Sequence, residues 1–287
     1  MPDPTLKQRL QRKEFILAPG VYDLISALVA DGMGFPALYM TGYGTVASYL
    51  GLPDAGLATY TDMLARASAI VERIKTPLIA DADTGYGGLL NVRHTVRGYE
   101  RAGVTAVQIE DQHFPKKCGH TKNRRVIPKS EMVDKIKVAV DSRHSPDLLL
   151  IARTDARTAH GLEEALERGH AYAEAGADIL FIESPETEEE LARIGASFSI
   201  PVLANMVDGG RTPILKADQL RALGFSLAIH PGLGFLAAGG VLREVYTYLK
   251  RTGTSTGHGL PFYPFEEFNK LIGFEDIWAF EEKYRQD

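Results

Sequence analysis

The stretch Leu78-Ile-Ala-Asp-Ala-Asp-Thr-Gly85 holds the pattern that decides the fold, a short apolar run that ends in acidic residues. Seven similar runs occur along the chain. All eight are nearly continuous in hydrophobicity, which is typical of strands buried on both faces. The predicted strands are 15–18, 37–40, 78–80, 106–109, 148–152, 179–182, 202–204 and 227–229.

A helical pattern follows each predicted strand. Eight strand–helix units in one chain predict an α/β fold of the (β/α)8 TIM-barrel type, with a doubly wound sheet as the alternative. No linker rich in Pro, Gly or Ser divides the sequence, so we expect a single barrel domain over residues 1–287. Residues 261–287 form an aromatic-rich C-terminal helical extension, which we expect to pack on the barrel or on a partner subunit.

The composition excludes several classes of protein. The 287 residues are 45% hydrophobic and 24% charged, as in ordinary globular proteins, and the net charge of −5 argues against nucleic-acid binding. A single cysteine excludes an internal disulfide and fits a reducing compartment. The sequence shows neither the apolar core of a signal peptide nor an apolar run near the ~20 residues of a membrane span. We therefore expect a cytoplasmic protein that binds neither nucleic acid nor membrane.

Acidic side chains follow two neighbouring predicted strands. Asp81 and Asp83 come after one strand, Glu110 comes after the next, and Asp54 lies on a preceding loop. Barrel sites form at the C-terminal ends of the strands, so these carboxylates should meet there. Clustered carboxylates repel one another unless a cation or shared protons intervene, and oxygen ligands suit Mg²⁺ or Mn²⁺. The alternative is that Asp83 caps a turn and Asp54 is solvated.

The segment Gly42-Tyr-Gly-Thr-Val-Ala47 fits the glycine pattern of dinucleotide-binding loops. A lone match is weak, and no helix is evident directly after it. A nicotinamide-dependent oxidoreductase is therefore the weakest alternative. We expect a strand-end loop whose backbone N–H groups hold a carboxylate or an oxyanion.

Residues 112–128 form a loop that is long for a strand–helix connection in a barrel. The only cysteine, Cys118, lies in this loop beside Lys116, Lys117 and His120. Such a setting lowers the pKa of a thiol and suits an anionic substrate, so a reactive Cys118 is favoured over an inert one. Lys122, Arg124 and Arg125 follow, and a plain solvated surface is the alternative for these three.

Arg153 follows another predicted strand, where it could clamp a carboxylate or form an ion pair with Glu183 or Asp155. Asn205 could simply hold a loop. His230 is expected to be a packing residue.

Three motifs together resemble the isocitrate lyase and phosphoenolpyruvate mutase superfamily: Lys116-Lys-Cys-Gly-His120, Glu110-Asp-Gln112 and Asp81-Ala-Asp-Thr-Gly85. The resemblance covers roughly residues 15–250. The cysteine motif points to the lyase branch, which includes methylisocitrate lyase, 2,3-dimethylmalate lyase and oxaloacetate hydrolase.

The resemblance implies roles for individual residues. Mg²⁺ would be held directly by Asp81 and through water by Asp54, Asp83 and Glu110. Cys118 would be the acid, near His120, and the base would be Tyr43 or a metal-bound water. The residues implied to contact substrate are Thr41, Gly42, Tyr43, Cys118, Gly119, Arg153, Glu183 and Asn205. A homotetramer is also implied, built as a dimer of dimers with the last barrel helix swapped between subunits.

The activity that follows is Mg²⁺-dependent retro-aldol cleavage of a 2-hydroxy dicarboxylate or tricarboxylate of the 2-alkylmalate or methylisocitrate type. Methylisocitrate lyases resemble one another in an arginine shortly after the eighth strand, which binds an extra carboxylate of the substrate. The present sequence departs from that pattern, because residues 232–238 contain no cation. A smaller, less charged acid is therefore favoured. Alternatives are oxaloacetate hydrolysis or decarboxylation, phosphonomutase action on carboxyphosphonoenolpyruvate, and a non-catalytic barrel that binds small acids.

Overall fold

The computed structural model describes residues 2–119 and 124–285. Eight parallel strands close into a barrel in chain order, so the prediction of a (β/α)8 barrel is confirmed. The strands are β1 Ile16–Val21, β2 Leu38–Met40, β3 Leu78–Asp81, β4 Ala106–Glu110, β5 Leu149–Thr154, β6 Ile179–Ile182, β7 Val202–Asn205 and β8 Leu227–His230. Each one overlaps a predicted strand.

Helices lie before and between the strands. Those of the first part of the chain are α1 Thr5–Gln11, α2 Leu24–Asp31, α3 Gly42–Leu50, α4 Tyr60–Arg73, α5 Leu89–Arg101, α6 Lys129–Ser142, α7 Ala156–His160, α8 Leu162–Glu174, α9 Glu188–Ser197 and α10 Ala217–Ala222. Their starts follow local chemistry. The Thr59 side chain, for example, accepts a hydrogen bond from the N–H of Asp62, whose carboxylate accepts one from the N–H of Thr59.

The barrel interior is filled by apolar side chains that alternate along the strands. Ile16, Leu149, Ile179 and Leu227, each the first residue of its strand, pack with the fully buried Leu6 of α1. The helix α1 therefore covers the end of the barrel where the strands begin. The functional side chains lie at the opposite end.

The chain divides into two compact units, residues 1–234 and 235–287. The second contains most of α11 Leu233–Thr252, with α12 Phe265–Ile272 and α13 Phe274–Tyr284. None of the residues of these three helices is buried. The aromatic side chains of this unit contact one another locally, as in the Phe274–Trp278 and Phe280–Tyr284 ring pairs. Across the described residues, no helix is long and apolar enough to cross a membrane.

Candidate active site

The predicted site residues gather at one rim of the barrel. Asp81, Glu110 and Asn205 are the last residues of β3, β4 and β7, Arg153 lies one residue before the end of β5, and Glu183 follows β6 directly. Because the strands are parallel, their C-terminal ends share this rim. All five side chains are buried. The rim is therefore a polar pocket within the fold rather than a solvated edge.

One carboxylate oxygen of Asp81 accepts hydrogen bonds, and the other faces Gly42. Its Oδ1 accepts hydrogen bonds from the N–H of Asp83 at 3.0 Å and from Gln108 Nε2 at 3.4 Å. Its Oδ2 faces Gly42, where a side-chain Cβ would approach within 2.7 Å. Glycine at position 42 therefore keeps the space beside Asp81 Oδ2 open.

Lys116 is the unexpected member of the acidic cluster. Its Nζ lies 2.5 Å from Asp54 Oδ1 and 2.5 Å from Asp83 Oδ1, and the lysine is 3% exposed. Burial first, and then the carboxylates of Asp81 and Asp54, raise the pKa of Asp83 to about 7 against the opposing effect of Lys116. The alternative of a solvated Asp54 is wrong, because this side chain is buried in an ion pair.

In the described part of the chain, the rim has more acidic than basic side chains. Six buried carboxylates, those of Asp54, Asp81, Asp83, Glu110, Asp155 and Glu183, face the buried cations Lys116, Arg124 and Arg153. Burial raises the pKa of Glu110 well above its usual value although Arg153 opposes this. The Oε1 atom of Glu110 is buried, and no group among residues 2–119 and 124–285 donates a hydrogen bond to it. An added divalent cation would favour the ionised forms of these buried carboxyl groups and offset their charge.

These features test the predicted metal site. No three His, Cys, Asp or Glu side chains within residues 2–119 and 124–285 form a preassembled metal cluster. The Asp81 oxygen that faces Gly42, and the Glu110 oxygen that has no partner among the described residues, nevertheless fit a hard cation held by one direct carboxylate. The residues therefore fit Mg²⁺, and the ligand set that the resemblance implies stays a prediction.

Arg153 forms the ion pairs that the sequence left open. Its Nε and Nη2 both donate to the Asp155 carboxylate at 2.9 Å, and Nη2 also lies 3.2 Å from Glu183 Oε2. Its Nε is 3.3 Å from Glu110 Oε2. These pairs fix the plane of the guanidinium. Asn205 Nδ2 donates to Glu183 Oε2 at 3.0 Å, so Asn205 belongs to the same network.

The cysteine loop rests on this network. The N–H of Cys118 donates to the backbone oxygen of Asp54 at 3.2 Å, and the thiol-bearing residue is half-buried. Ser184 Oγ donates to the backbone oxygen of Gly119 at 3.0 Å. A Cβ at Gly119 would collide with Arg153 Nη2 and lie 2.7 Å from Glu183 Oε2. The loop backbone thus lies directly on the rim. His120 and Lys122 fall outside the described residues.

The segment after β2 differs from its prediction. Residues 42–50 form the helix α3, not a loop, and buried Thr41 precedes its first turn. The first N–H groups of a helix have no acceptors within that helix, so they suit a carboxylate, as expected of this segment. Tyr43, predicted as a base, is 42% exposed.

Sequence reasoning missed the pairings of several rim residues. Arg124, for which a solvated surface was one alternative, is buried against Asp155, whereas Arg125 is exposed. Lys116 was interpreted as a neighbour of Cys118, but it pairs with Asp54 and Asp83. Their partners are distant in the sequence, so local spacing gave no signal for either contact.

The chain is similar to several known proteins. A family model described as phosphoenolpyruvate phosphomutase matches residues 6–249. A 2,3-dimethylmalate lyase from Eubacterium barkeri is 52% identical, over 97% of this chain and 96% of its own length. A 2-methylisocitrate lyase from Aeropyrum pernix is 41% identical, over 96% of this chain and 88% of its own length. A solved structure of oxaloacetate acetylhydrolase has a TM-score of 0.91 and 35% identity, and covers 99% of this chain and 98% of that one.

Proposed function

This chain belongs to the phosphoenolpyruvate phosphomutase family, and from that premise we propose that it is a Mg²⁺-dependent lyase acting on a 2-hydroxy dicarboxylate of the 2-alkylmalate type. The enzyme would break a carbon–carbon bond to release a 2-oxo acid, such as pyruvate, and a second carboxylate. The resemblance to the superfamily is confirmed, and the named lyases among the relatives agree with the predicted type of activity.

The docking of the cysteine loop on the acidic rim supports this proposal most directly. The backbone contacts of Cys118 and Gly119 bring a thiol to a pocket that holds Arg153 and the carboxylate cluster. A barrel that only binds small acids would need the cation and the pocket but not the thiol. A proton donor is what a carbon–carbon lyase requires once the bond has broken.

The residues of the chain divide the work as follows. Mg²⁺, or Mn²⁺, held by Asp81 directly and by Asp54, Asp83 and Glu110 through water, would polarise the 2-hydroxyl and its neighbouring carboxylate. Arg153 would bind a substrate carboxylate. Thr41 and the N–H groups at Gly42 and Tyr43 would hold the 2-oxo acid portion.

Bond cleavage then needs one proton removed and one delivered. Tyr43, in its phenolate form, is the base that the chain itself would offer, and its oxygen would accept the proton of the 2-hydroxyl. As the bond breaks, its electron pair stays on the carbon of the departing carboxylate fragment, and the Cys118 thiol donates a proton to that carbon. Glu183 and Asn205, which lie beside Arg153, would contact the substrate, and the loop backbone at Gly119 would exclude water from the carbanion.

The absence of a cation from residues 232–238 supports a small substrate. A third carboxylate beside this segment would be desolvated without a partner, which costs free energy. A dialkylmalate carries no third carboxylate, and the 52% identical relative is named for 2,3-dimethylmalate. We therefore favour a 2,3-dialkylmalate over methylisocitrate.

We also propose that the protein is a homotetramer, a dimer of dimers in which α11 is swapped between subunits. The support is the exposure of large apolar side chains in α11, α12 and α13, including Phe265 at 79%. Residues 1–287 would then form one functional barrel domain with its extension. A reduced Cys118 thiol fits a reducing compartment such as the cytoplasm.

A panel assay tests the activity. The purified protein with Mg²⁺ receives 2,3-dimethylmalate, 2-methylisocitrate, isocitrate, oxaloacetate and carboxyphosphonoenolpyruvate, and release of 2-oxo acid or of other products is followed. We expect the highest kcat/KM for 2,3-dimethylmalate. Hydrolysis of oxaloacetate alone would move the assignment to the oxaloacetate hydrolase alternative. No turnover of any member, with tight binding of small acids, would support the binding barrel.

A further inference from the structure

One buried carboxylate at the rim connects two guanidinium groups. Asp155, which follows β5, is fully buried. Its carboxylate accepts two hydrogen bonds from Arg153 and one from Arg124 Nη1. Its backbone N–H donates to Asp111 Oδ1 at 2.9 Å, which fixes the chain at this point. Burial opposes ionisation of Asp155, but Arg153 and Arg124 outweigh this effect and lower the pKa of its carboxyl.

Arg124 comes from the far end of the cysteine loop. Its side chain is buried, and its Nη2 donates to Thr158 Oγ1 at 2.5 Å. The chain on either side of the loop is paired, since the N–H of His113 donates to the oxygen of Arg125 at 2.8 Å. Arg124 is therefore held at the rim by its side chain, and the backbone of its neighbour Arg125 is paired across the base of the loop.

The orientation of the Arg153 guanidinium depends on these contacts, because three carboxylates lie around it. Asp155, Glu110 and Glu183 all lie within 3.3 Å of its guanidinium. One guanidinium cannot offset three buried carboxylates, so its plane would follow whichever pair dominates. Because Arg124 holds Asp155 in place, Nε and Nη2 of Arg153 both donate hydrogen bonds to the Asp155 carboxylate. Its Nη1 then makes no hydrogen bond to any side chain in the described part of the chain, and it remains for a substrate carboxylate.

We propose that Asp155 and Arg124 are positioning residues for substrate binding, in which Arg124 holds Asp155 and Asp155 sets the plane of Arg153. This inference rests on the proposed function to the extent that Arg153 receives an acid. Neither residue touches the reacting atoms. Their effect would appear in the affinity for the acid and reach it only through Arg153.

The test uses the full chain with Mg²⁺ and two measurements, the Kd of pyruvate by calorimetry and the KM and kcat for 2,3-dimethylmalate. Arg124→Met should raise the Kd and the KM about tenfold or more, the effect expected of a lost charged hydrogen bond, and change kcat less. Arg124→Lys keeps the charge but cannot reach both Asp155 and Thr158, so it should give a smaller rise. Arg125→Met, an exposed neighbour, is the matched control and should behave as wild type.

A double-mutant cycle separates positioning from a general structural role. In an Arg153→Lys background, Arg124→Met should raise the Kd of pyruvate less than about twofold, because its effect passes through the residue already changed. Full additivity, or an unchanged Kd in the single variant, would overturn the inference. If Arg124→Met does not fold, the same cycle with Arg124→Lys decides.

The two proposals fail differently. A coupled cycle in pyruvate binding without turnover of any substrate would leave the inference intact and remove the lyase assignment. Normal turnover of 2,3-dimethylmalate with an uncoupled cycle would leave the lyase assignment intact and remove the inference about Asp155 and Arg124.

Discussion

The barrel rim and the C-terminal helices depart from the usual arrangement of side chains in opposite directions. At the rim, charged groups such as Lys116 and Asp155 are buried at 3% and 0% exposure. In the C-terminal unit, aromatic groups such as Phe265 and Phe280 are exposed at 79% and 63%. Buried charges need partners of opposite charge, and large exposed apolar surfaces need other apolar surfaces. We therefore expect the rim to bind a cation and an acid, and the C-terminal helices to bind another protein surface.

The largest effect is expected from removing the cation from the rim. Excess chelator should abolish turnover, and Mg²⁺ or Mn²⁺ should restore it. Asp83→Ala should lower metal affinity about 10- to 100-fold, as for groups that act through an intervening ligand. Asp81→Ala should lower metal affinity further, because Asp81 would be the direct ligand. Mn²⁺ binding followed by electron paramagnetic resonance checks both variants, and full activity in chelator would show that the rim is balanced without metal.

The next effect concerns the thiol at the rim. Cys118→Ser should lower kcat by about 10²- to 10⁴-fold, since a hydroxyl is a much weaker acid than a thiol. Folding, Mg²⁺ binding and pyruvate binding should persist. Thiol alkylation should inactivate the wild-type enzyme, with pyruvate protecting it. A serine variant with near-normal turnover would reduce Cys118 to a packing residue.

A third experiment separates the exposed surface of the C-terminal unit from that of the barrel. Phe265 and Leu90 are both 79% exposed in the single chain, but Phe265 lies on α12 and Leu90 on α5. Phe265→Ser should weaken the assembly, seen as a smaller mass by light scattering at micromolar concentration. Leu90→Ser should leave the mass unchanged. A wild-type monomer would contradict the proposed tetramer, and two variants that both keep the wild-type mass would show that Phe265 on α12 does not hold the assembly together.

The smallest effect is expected away from both regions. Thr187 caps α9, where its Oγ1 accepts a hydrogen bond from the N–H of Glu190 at 3.2 Å. Thr187→Ala should lower the free energy of unfolding by about 1 kcal/mol, measured by urea denaturation, with kcat and assembly unchanged. A loss of kcat in Thr187→Ala as large as that expected for the rim variants would mean that activity falls with any loss of stability.

The strands were predictable because a strand covered on both sides is apolar along its whole length. The helix α3 was not predictable, because its glycines are more typical of a loop. Gly42 is required for another reason, the close approach of the helix to Asp81. The helix α1 was also missed, although Leu6 and Leu10, four residues apart, lie on one face of it.

Within the site, identities were easier to predict than partners. Carboxylates at strand ends must meet at one rim, so Asp81 and Glu110 could be placed together from topology alone. The pairs of Lys116 with Asp54 and of Arg124 with Asp155 join residues far apart in sequence. Such contacts depend on how the long loop folds back, which local spacing does not encode.

The covering of one barrel end by α1 has a consequence for the order of events in turnover. Leu6 fills the end where the strands begin, so among the described residues the rim is the end of the barrel through which acids would enter and leave. The two products then share one exit, and the fragment nearer the mouth must depart before the deeper one. Steady-state kinetics should therefore show ordered release, with the 2-oxo acid leaving last and acting as a competitive inhibitor of the substrate.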